Sequence, residues 1–409
     1  MPDQDASTRK DDLHSGTPFW VRTPHSALHA RRGPVRDRFD VIVIGAGISG
    51  ALMAEALTRA GRSVLVLDRR PPVRGSIAAS TAMIQHEIDM PLTRLRRRIG
   101  RDKAGRAWLR SVRAVEDLVA LAGRLKLDCG MRRKPALYLA GDSLGARALA
   151  AEAAARQGIG IGAEYLGRAA LAEYFGMDRP AAIRSTASAS ANPAQLAAGL
   201  LRVAQARGAR VVSPVEITDM AELPGGVALA TGKGEVLVAG HAVFCTGYEY
   251  LPQMESAAHR ITSTWALASR PLRGLPDWMR GTIVWEAADP YLYFRTDEAG
   301  RVIAGGEDED AADSNGDPAR LPAKARIIAE KLRLLTGLRI GRPAYIWSAP
   351  FGATRDGLPI IDRVPGYGRI FAVMGFGGNG ITFAMIAAQI VAGAIAGRTD
   401  PDSDIFRHR

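Results

Sequence analysis

The chain has 409 residues, 47% of them hydrophobic and 23% charged, a mix that excludes a disordered chain and allows two domains, or one interrupted by another. Its formal net charge of +12 favours anionic ligands, nucleic acid or acidic lipid, and constrains partners rather than fold. Two cysteines, Cys129 and Cys245, exclude a disulfide framework and suit neither a zinc site nor a CxxC redox pair, so a reducing, cytoplasmic compartment and no metal are expected.

In chain order, residues 1 to 38 read as an N-terminal arm rich in Pro, Arg and His, opening on "MPDQDASTRKDDLHSG", which lacks the apolar segment of a secretory signal. The aromatic pair Phe19 and Trp20 is expected to pin this arm to a neighbouring surface, and the residues before it to be disordered. From Asp40 the text becomes strand, glycine turn, helix and strand: "DVIVIGAGISGALMAEALTRAGRSVLVLD". "VIVIG" is the apolar run that a parallel strand buried on both faces requires. Gly45, Gly47 and Gly50 then spell GxGxxG. The first permits a tight turn, the second lets a pyrophosphate approach the backbone, and the third lets the helix close on the sheet. The phosphate would meet the positive helix N-terminus at Ile48 and Ser49. The next strand ends at Asp68, 23 residues after Gly45, where a carboxylate is placed to receive ribose hydroxyls, with Arg69 beside it. In this context the motif predicts a bound dinucleotide.

Residues 94 to 127 predict helices, with Leu, Val and Trp recurring at three to four positions. Within "RLRRRIGRDKAGRAWLRSVR", residues 94 to 113, nine Lys or Arg stand against Asp102 alone. This reads as a solvated helical face, or else as a surface recruiting an acidic substrate, an electron-transfer partner, an anionic membrane or RNA. Only Trp108 offers a stacking aromatic there, so nucleic acid is not the expected partner. A strand at 136 to 140, an alanine-rich helix "ARALAAEAAARQG" and a helix from Pro193 follow. Next come strand "ARVVSPVEIT" with Val215, a hairpin, and "VFCTG", whose Thr246 and Gly247 bring backbone over a cofactor. Trp265 to Gly306 reads as extended segments with Tyr291, Tyr293 and Arg295 on alternating sites, and "LPAKARIIAEKLRLLTG" as an amphipathic helix. Near the end, "VMGFGGNGITFAMIAAQIVAGAIAG" supplies a strand, Gly375, Gly377, Gly378 and Gly380 around Asn379, and a helix beginning through Ile381 and Thr382. Its N-terminus offers amides and positive potential to a reduced flavin's anionic edge, which favours FAD over NAD. Interrupted by Gln389, the helix is short for a bilayer and is expected to be buried, with no transmembrane segment.

Residues Phe39 to Gly397 resemble FAD-dependent oxidoreductases of the D-amino acid oxidase type, whose relatives include glycine oxidase, sarcosine oxidase and amine dehydrogenases. The resemblance rests on the order of the glycine fingerprint, "GSIAAST", "NPAQLAAGLLRVAQARGARV", "VFCTGY", "YLYFRTDEAGRVIAGGE", "TRDGLPIID" and "GFGGNG". It implies an α/β fold: a doubly wound, Rossmann-like FAD-binding domain with an inserted antiparallel α+β substrate domain. The expected division is 39–95, 188–255 and 340–400 for the FAD domain and 96–187 with 256–339 for the substrate domain, leaving 401–409 as a tail. The implied reaction removes hydride from the carbon beside an amine nitrogen, delivers it to flavin N5, and ends with imine hydrolysis, so orientation and stabilisation fall to the protein.

Departures from the family pattern are informative. Where oxidases of small amino acids place a carboxylate-clamping arginine, the matching position is Phe351, so that bidentate grip is lost. A lysine that follows the C-terminal glycine loop in sarcosine oxidases matches Thr382, and their oxygen-activating lysine matches Ile303. No cysteine stands in "SAPFGAT" and no histidine in "GSIAAST", so FAD is expected to be noncovalent, with His86 nearby.

The candidate cofactor residues are Gly45, Gly47, Ile48, Ser49, Gly50, Asp68, Arg69, Ser80, Thr81, Val215, Thr246, Gly247, Gly375, Gly377, Gly378, Asn379, Gly380, Ile381 and Thr382. Gln85, His86, Tyr293, Arg295, Phe351 and Asn379 are the candidate catalytic set, with Arg295 the candidate anchor for an anionic substrate. The expected partners are a small-molecule amine and an electron acceptor, either oxygen or a quinone or other carrier. The alternatives are a flavin-carrying subunit or interaction protein without turnover, and an RNA-modifying flavoprotein using the basic stretch.

Overall fold

The computed structural model describes Thr8 and residues 13–33, 38–255, 259–311, 314–317 and 319–409. Its first layer is a parallel sheet in the order Arg210–Val212, Val64–Leu67, Phe39–Ile44, Val236–Gly247 and Ile370–Met374. The strands alternate between two cores. Val41, Val43, Val64 and Val66 face the helices Ile48–Arg59, Pro193–Ala206 and Gly380–Ile395, whereas Ile42, Ile44, Leu65 and Leu67 face an antiparallel meander built from Ile217–Leu223, Gly226–Thr231 and the first half of Val236–Gly247. Both faces are therefore dry, which explains the unbroken apolar runs.

The second layer is a nine-stranded sheet running from Ser15–Gly16 through Tyr345–Thr354, His259–Ala268, Val302–Glu309, Leu292–Thr296 and Ile283–Glu286 to Ala136–Leu139, Ala181–Ser185 and Ala163–Gly167. It is antiparallel apart from the pair Ile283–Glu286 with Ala136–Leu139. The amphipathic helix Arg320–Thr336 covers one face through Leu321, Ala325, Ile328 and Leu332. The other face looks toward the C-terminal ends of the parallel strands.

Three features depart from the boundaries drawn in the sequence. Tyr345–Thr354 pairs along its whole length with His259–Ala268 and so lies in the antiparallel layer, not in a FAD segment beginning at 340. Helix Arg101–Arg124 packs Ala104, Trp108, Val115 and Leu118 into the core beneath the glycine-turn helix and leaves the substrate layer. The tail also folds back: the buried Phe406 accepts from Ile361 N (2.7 Å).

The arm is anchored. Phe19 and Trp20 are buried, and Ser15–Gly16 adds an edge strand against Trp347–Ser348. The expectation of disorder falls otherwise on residues 1–7 and 9–12, outside the described residues. The basic stretch is only partly a solvated face. Arg106 bonds Asp402 (3.1 Å) and Asp404 (2.8 Å), Arg110 bonds Asp400 (3.0 Å), Arg113 bonds Asp402 (2.8 Å) and Lys103 pairs with Asp404 (3.6 Å), so four of its cations hold residues 400–404. Helix Gly380–Ile395 is long and apolar enough to span a bilayer when extended to Gly377, but Phe383, Ile386, Ala387 and Val391 are buried in the core.

Candidate functional site

One cavity of about 800 Å³ lies where the C-terminal ends of the parallel strands meet the antiparallel sheet. Gly45, Asp68, Val215, Thr246, Gly247 and Phe376, each at or just beyond the end of such a strand, line it, the place where open parallel sheets bind ligands.

At the dinucleotide end, Gly45 has φ +111° and a Cβ there would collide with Cys245 O; a Cβ on Gly50 would collide with Gly45 O. Both positions exclude side chains because backbone already occupies the space. Gly47 differs: an added Cβ meets nothing within 4 Å, and the residue lines the cavity beside Ile48 and Ser49 at the start of the helix. That open cradle of amides fits a pyrophosphate. Asp68 accepts from Ala46 N (2.7 Å) and Arg70 N (2.8 Å), so it braces the turn while each oxygen keeps a lone pair for a hydroxyl donor. Burial raises its pKa. Arg69 and Arg70 converge on Glu249, Arg70 through two bonds of 2.8 and 2.7 Å. Glu249, absent from the sequence reading, thus fixes both arginines at the cavity wall.

In the middle, the second glycine turn is sewn to residues 85–89. Thr382 Oγ1 donates to Gln85 O (2.7 Å), Asn379 Nδ2 to Glu87 O (2.6 Å) and Gly378 N to Asp89 (2.9 Å). Gly377, Gly378, Asn379, Gly380, Ile381 and Thr382 all line the cavity, so the N-terminus of Gly380–Ile395 opens onto it. Ser80 and Thr81 line the opposite wall. Trp20 Nε1 donates to Ser80 O (2.6 Å) and Trp347 Nε1 to Ala79 O (2.8 Å). Gln85 reaches the cavity with its Nε2 buried and without a partner, an orphan donor suited to an acceptor on a bound ring or substrate. The residues present therefore fit a noncovalent FAD lying from one glycine turn to the other.

At the far end, Thr262 and Thr264 from one strand and Ala349, Phe351 and Ala353 from its neighbour face inward at alternate positions. Tyr248, Tyr291 and Tyr293 form an aromatic wall, and burial raises all three phenols above their ordinary range, keeping them neutral. Gly305 leaves room for the Tyr293 ring, since a Cβ there would collide with its hydroxyl. Asp89 and Asp308 also line this end; burial pushes both carboxyls up, Asp308 to about 6.

Besides Gly50, which packs on Gly45 O, three of the sequence candidates lie away from the cavity. His86 is fully buried, with Nδ1 2.9 Å from Ala187 O and 3.4 Å from Glu87, and its ring edge-on to Trp108; burial lowers its pKa, so it is a neutral structural group. Arg295 shares the strand face of Tyr293, but Thr81 intervenes. Its guanidinium donates to Thr81 O and Ala191 O (2.7 Å each) and lies 5.1 Å from the Trp20 ring. It therefore positions the Thr81 wall and is not an anchor for substrate. Gly375 sits behind the second glycine turn, where a Cβ would press on the Tyr250 hydroxyl at 2.7 Å.

A dinucleotide cradle, a second helix N-terminus and a tyrosine-walled chamber in one cavity define the class, a flavin-dependent oxidoreductase. The chain belongs to the DAO family of FAD dependent oxidoreductases, which it matches over residues 40–394. Among solved structures it is similar to glycine oxidase from Geobacillus kaustophilus (TM-score 0.76, 20% identity, covering 91% of this chain and 99% of that one). L-proline dehydrogenase from P. horikoshii is also similar (TM-score 0.74, 17% identity, covering 91% and 97%). Among curated relatives it is 24% identical over 419 residues to the tRNA 5-methylaminomethyl-2-thiouridine biosynthesis bifunctional protein MnmC of Burkholderia pseudomallei (strain K96243). That match takes in 89% of this chain and 57% of the relative, so the chain spans little more than half the length of those proteins.

Proposed function

We propose that this FAD-dependent oxidoreductase oxidises the C–N bond of a small amine or amino acid, the substrate losing a hydride from carbon and a proton from nitrogen, two electrons and two protons in all, to become an imine that water hydrolyses. Bound FAD supplies the two-electron acceptor. The chain's own residues supply position: Asn379, Thr382 and the amides of the second glycine turn hold the flavin edge, while Thr264, Tyr248, Tyr291, Tyr293 and Phe351 hold the substrate against it and exclude water. The observation that carries this reading is continuity, because the first glycine turn, the second one and the tyrosine wall line a single cavity. Anaerobic mixing of the yellow holoprotein with a panel of amines and amino acids tests it. Bleaching of the long-wavelength flavin band by at least one compound is expected; unchanged colour with all of them favours a flavin carrier without turnover.

A second reading, action on tRNA, is favoured by the likeness to MnmC. Against it, Arg106, Arg110 and Arg113 are engaged by Asp400, Asp402 and Asp404. It predicts a tRNA complex that weakens steeply with salt.

A further inference from the structure

The strand Val302–Glu309 carries a bulge at the cavity. Its partner runs opposite it with Trp265 against Gly306 and Ser263 against Glu309, so Thr264 alone faces both Glu307 and Asp308. Before the bulge, Val302 and Ala304 point to the helix Arg320–Thr336 and Ile303 to the opposite face. Strict alternation would therefore send Asp308 to the helix and Glu307 to the cavity.

The extra residue exchanges them. Glu307, held at φ +60°, turns to that helix and pairs with Lys331 and with Lys324 (3.8 Å). Asp308 turns into the cavity, facing Tyr291 and Thr264. The same alternation then continues: Glu309 pairs with Lys324 (2.9 Å), and Asp310 reaches the cavity rim, where Arg260 holds it (2.9 Å). Among the described residues, Asp308 has no Lys, Arg or His partner, and its Oδ1 is buried without a hydrogen bond. A buried carboxylate left so is costly, and two lysines that would neutralise it lie on the other face of the same strand. Left-handed backbone at a non-glycine residue adds to that cost.

We propose that Asp308 is a specificity-determining residue that receives the cationic end of the substrate, and that the substrate class is an amine bearing a second ammonium group, such as a diamine, instead of an amino acid gripped by its carboxylate. This rests on the reading that the cavity oxidises amines. Tyr248, Tyr291 and Tyr293 suit the same ligand, because ring faces attract an ammonium group as it leaves water. Phe351, at the place of a carboxylate-binding arginine, removes the competing preference. Two lining arginines without a carboxylate partner among the described residues, Arg94 and Arg355, are exposed and supply the contrary expectation, an anionic far end.

The test uses a matched series with one reactive amine and three far ends: butane-1,4-diamine, butylamine and 4-aminobutanoate. Binding to anaerobic holoprotein is read from quenching of tryptophan fluorescence, since Trp285 lines the cavity, and oxidation from flavin bleaching. The diamine is expected to bind about ten- to hundredfold tighter than either companion. Asp308→Asn should abolish that advantage, bringing the diamine to the affinity of butylamine. If the variant fails to fold, the wild-type order alone decides. Equal binding of the three, preference for 4-aminobutanoate, no detectable diamine binding, or an Asp308→Asn protein that keeps the preference would each overturn the proposal. Asp308-dependent diamine binding without bleaching would instead refute amine oxidation and leave the recognition intact.

Discussion

Gly47 and Gly50 stand three residues apart in one motif, yet the structure assigns them opposite sensitivities. At Gly47 the backbone is extended (φ −84°, ψ −162°) and an added Cβ touches nothing. Gly47→Ala should therefore leave the apoprotein's stability within about 0.5 kcal/mol of wild type. The methyl would project into the space that a pyrophosphate must enter to reach the amides of Ile48 and Ser49. Overpacking of that kind costs about 1–3 kcal/mol, which corresponds to roughly 5- to 150-fold weaker FAD binding. At Gly50 the same methyl collides with Gly45 O, backbone on backbone, so Gly50→Ala must push helix from strand and lower stability itself. Thermal unfolding of the apoproteins, paired with FAD titration by fluorescence quenching, separates the two effects. A Gly47→Ala protein that binds FAD like wild type, or a Gly50→Ala protein with wild-type melting, would refute the assignment of the cradle.

Arg295→Leu removes the donor from Thr81 O and Ala191 O; each orphaned carbonyl costs about 1–3 kcal/mol, so a clear drop in melting temperature is expected, with no change in the protein's ranking of cationic against anionic ligands. A changed ranking would restore Arg295 as a substrate anchor. Gly305→Ala forces the Tyr293 ring aside, with Trp265 O only 2.9 Å from the new methyl on the other side; weaker amine binding with retained FAD is the expected pattern, read by the same quenching titration. For Asp308, burial raises the carboxyl from 3.8 to about 6, so the folded state holds a proton that the unfolded chain releases. Its contribution to stability is present below about pH 4 and lost as pH rises to about 6, a difference on the order of 3 kcal/mol. Asp308→Asn should accordingly melt higher than wild type at pH 8, with the gain fading toward pH 4; identical melting at pH 8 would contradict the buried charge.

The parallel layer was legible because its strands are dry on both faces: "VIVIG" and "SVLVL" have no polar face to confuse the reading, and the glycines fall where backbone packs on backbone. Tyr345–Thr354 was misplaced for the converse reason. "YIWSAPFGAT" adjoins the FAD segment in sequence, but its pairing is set by His259–Ala268, some eighty residues earlier, and nothing local reports that register. His86 and Arg295 were placed at the site by proximity to Gln85 and Tyr293, and both turn on contacts invisible in one dimension. His86 is covered by Trp108; Arg295 is separated from the cavity by the Thr81 carbonyl it holds. Glu249 had no motif at all, and only its convergence with Arg69 and Arg70 reveals it. The acids of "GGEDED" were visible, but period-two alternation points Asp308 the wrong way, so the bulge had to be seen before the residue could be assigned.

The two ends of the cavity also differ in charge, and the difference bears on how one space serves two ligands. Around the first glycine turn the wall carries Arg69, Arg70 and the N-terminus of Ile48–Arg59, a field suited to a diphosphate, with Glu249 holding the arginines in place so that they do not collapse into the cradle. Around Tyr291 the wall carries Asp89 and Asp308, with no cation paired to either among the described residues. A diphosphate is repelled from the tyrosine chamber and received by the helix amides at the first glycine turn, so the cofactor has one favourable orientation before any shape is considered. Between them stand the amides of the second glycine turn, where Gly378 N is drawn onto Asp89. That bond ties the substrate-end charge to the loop expected to cover the flavin edge.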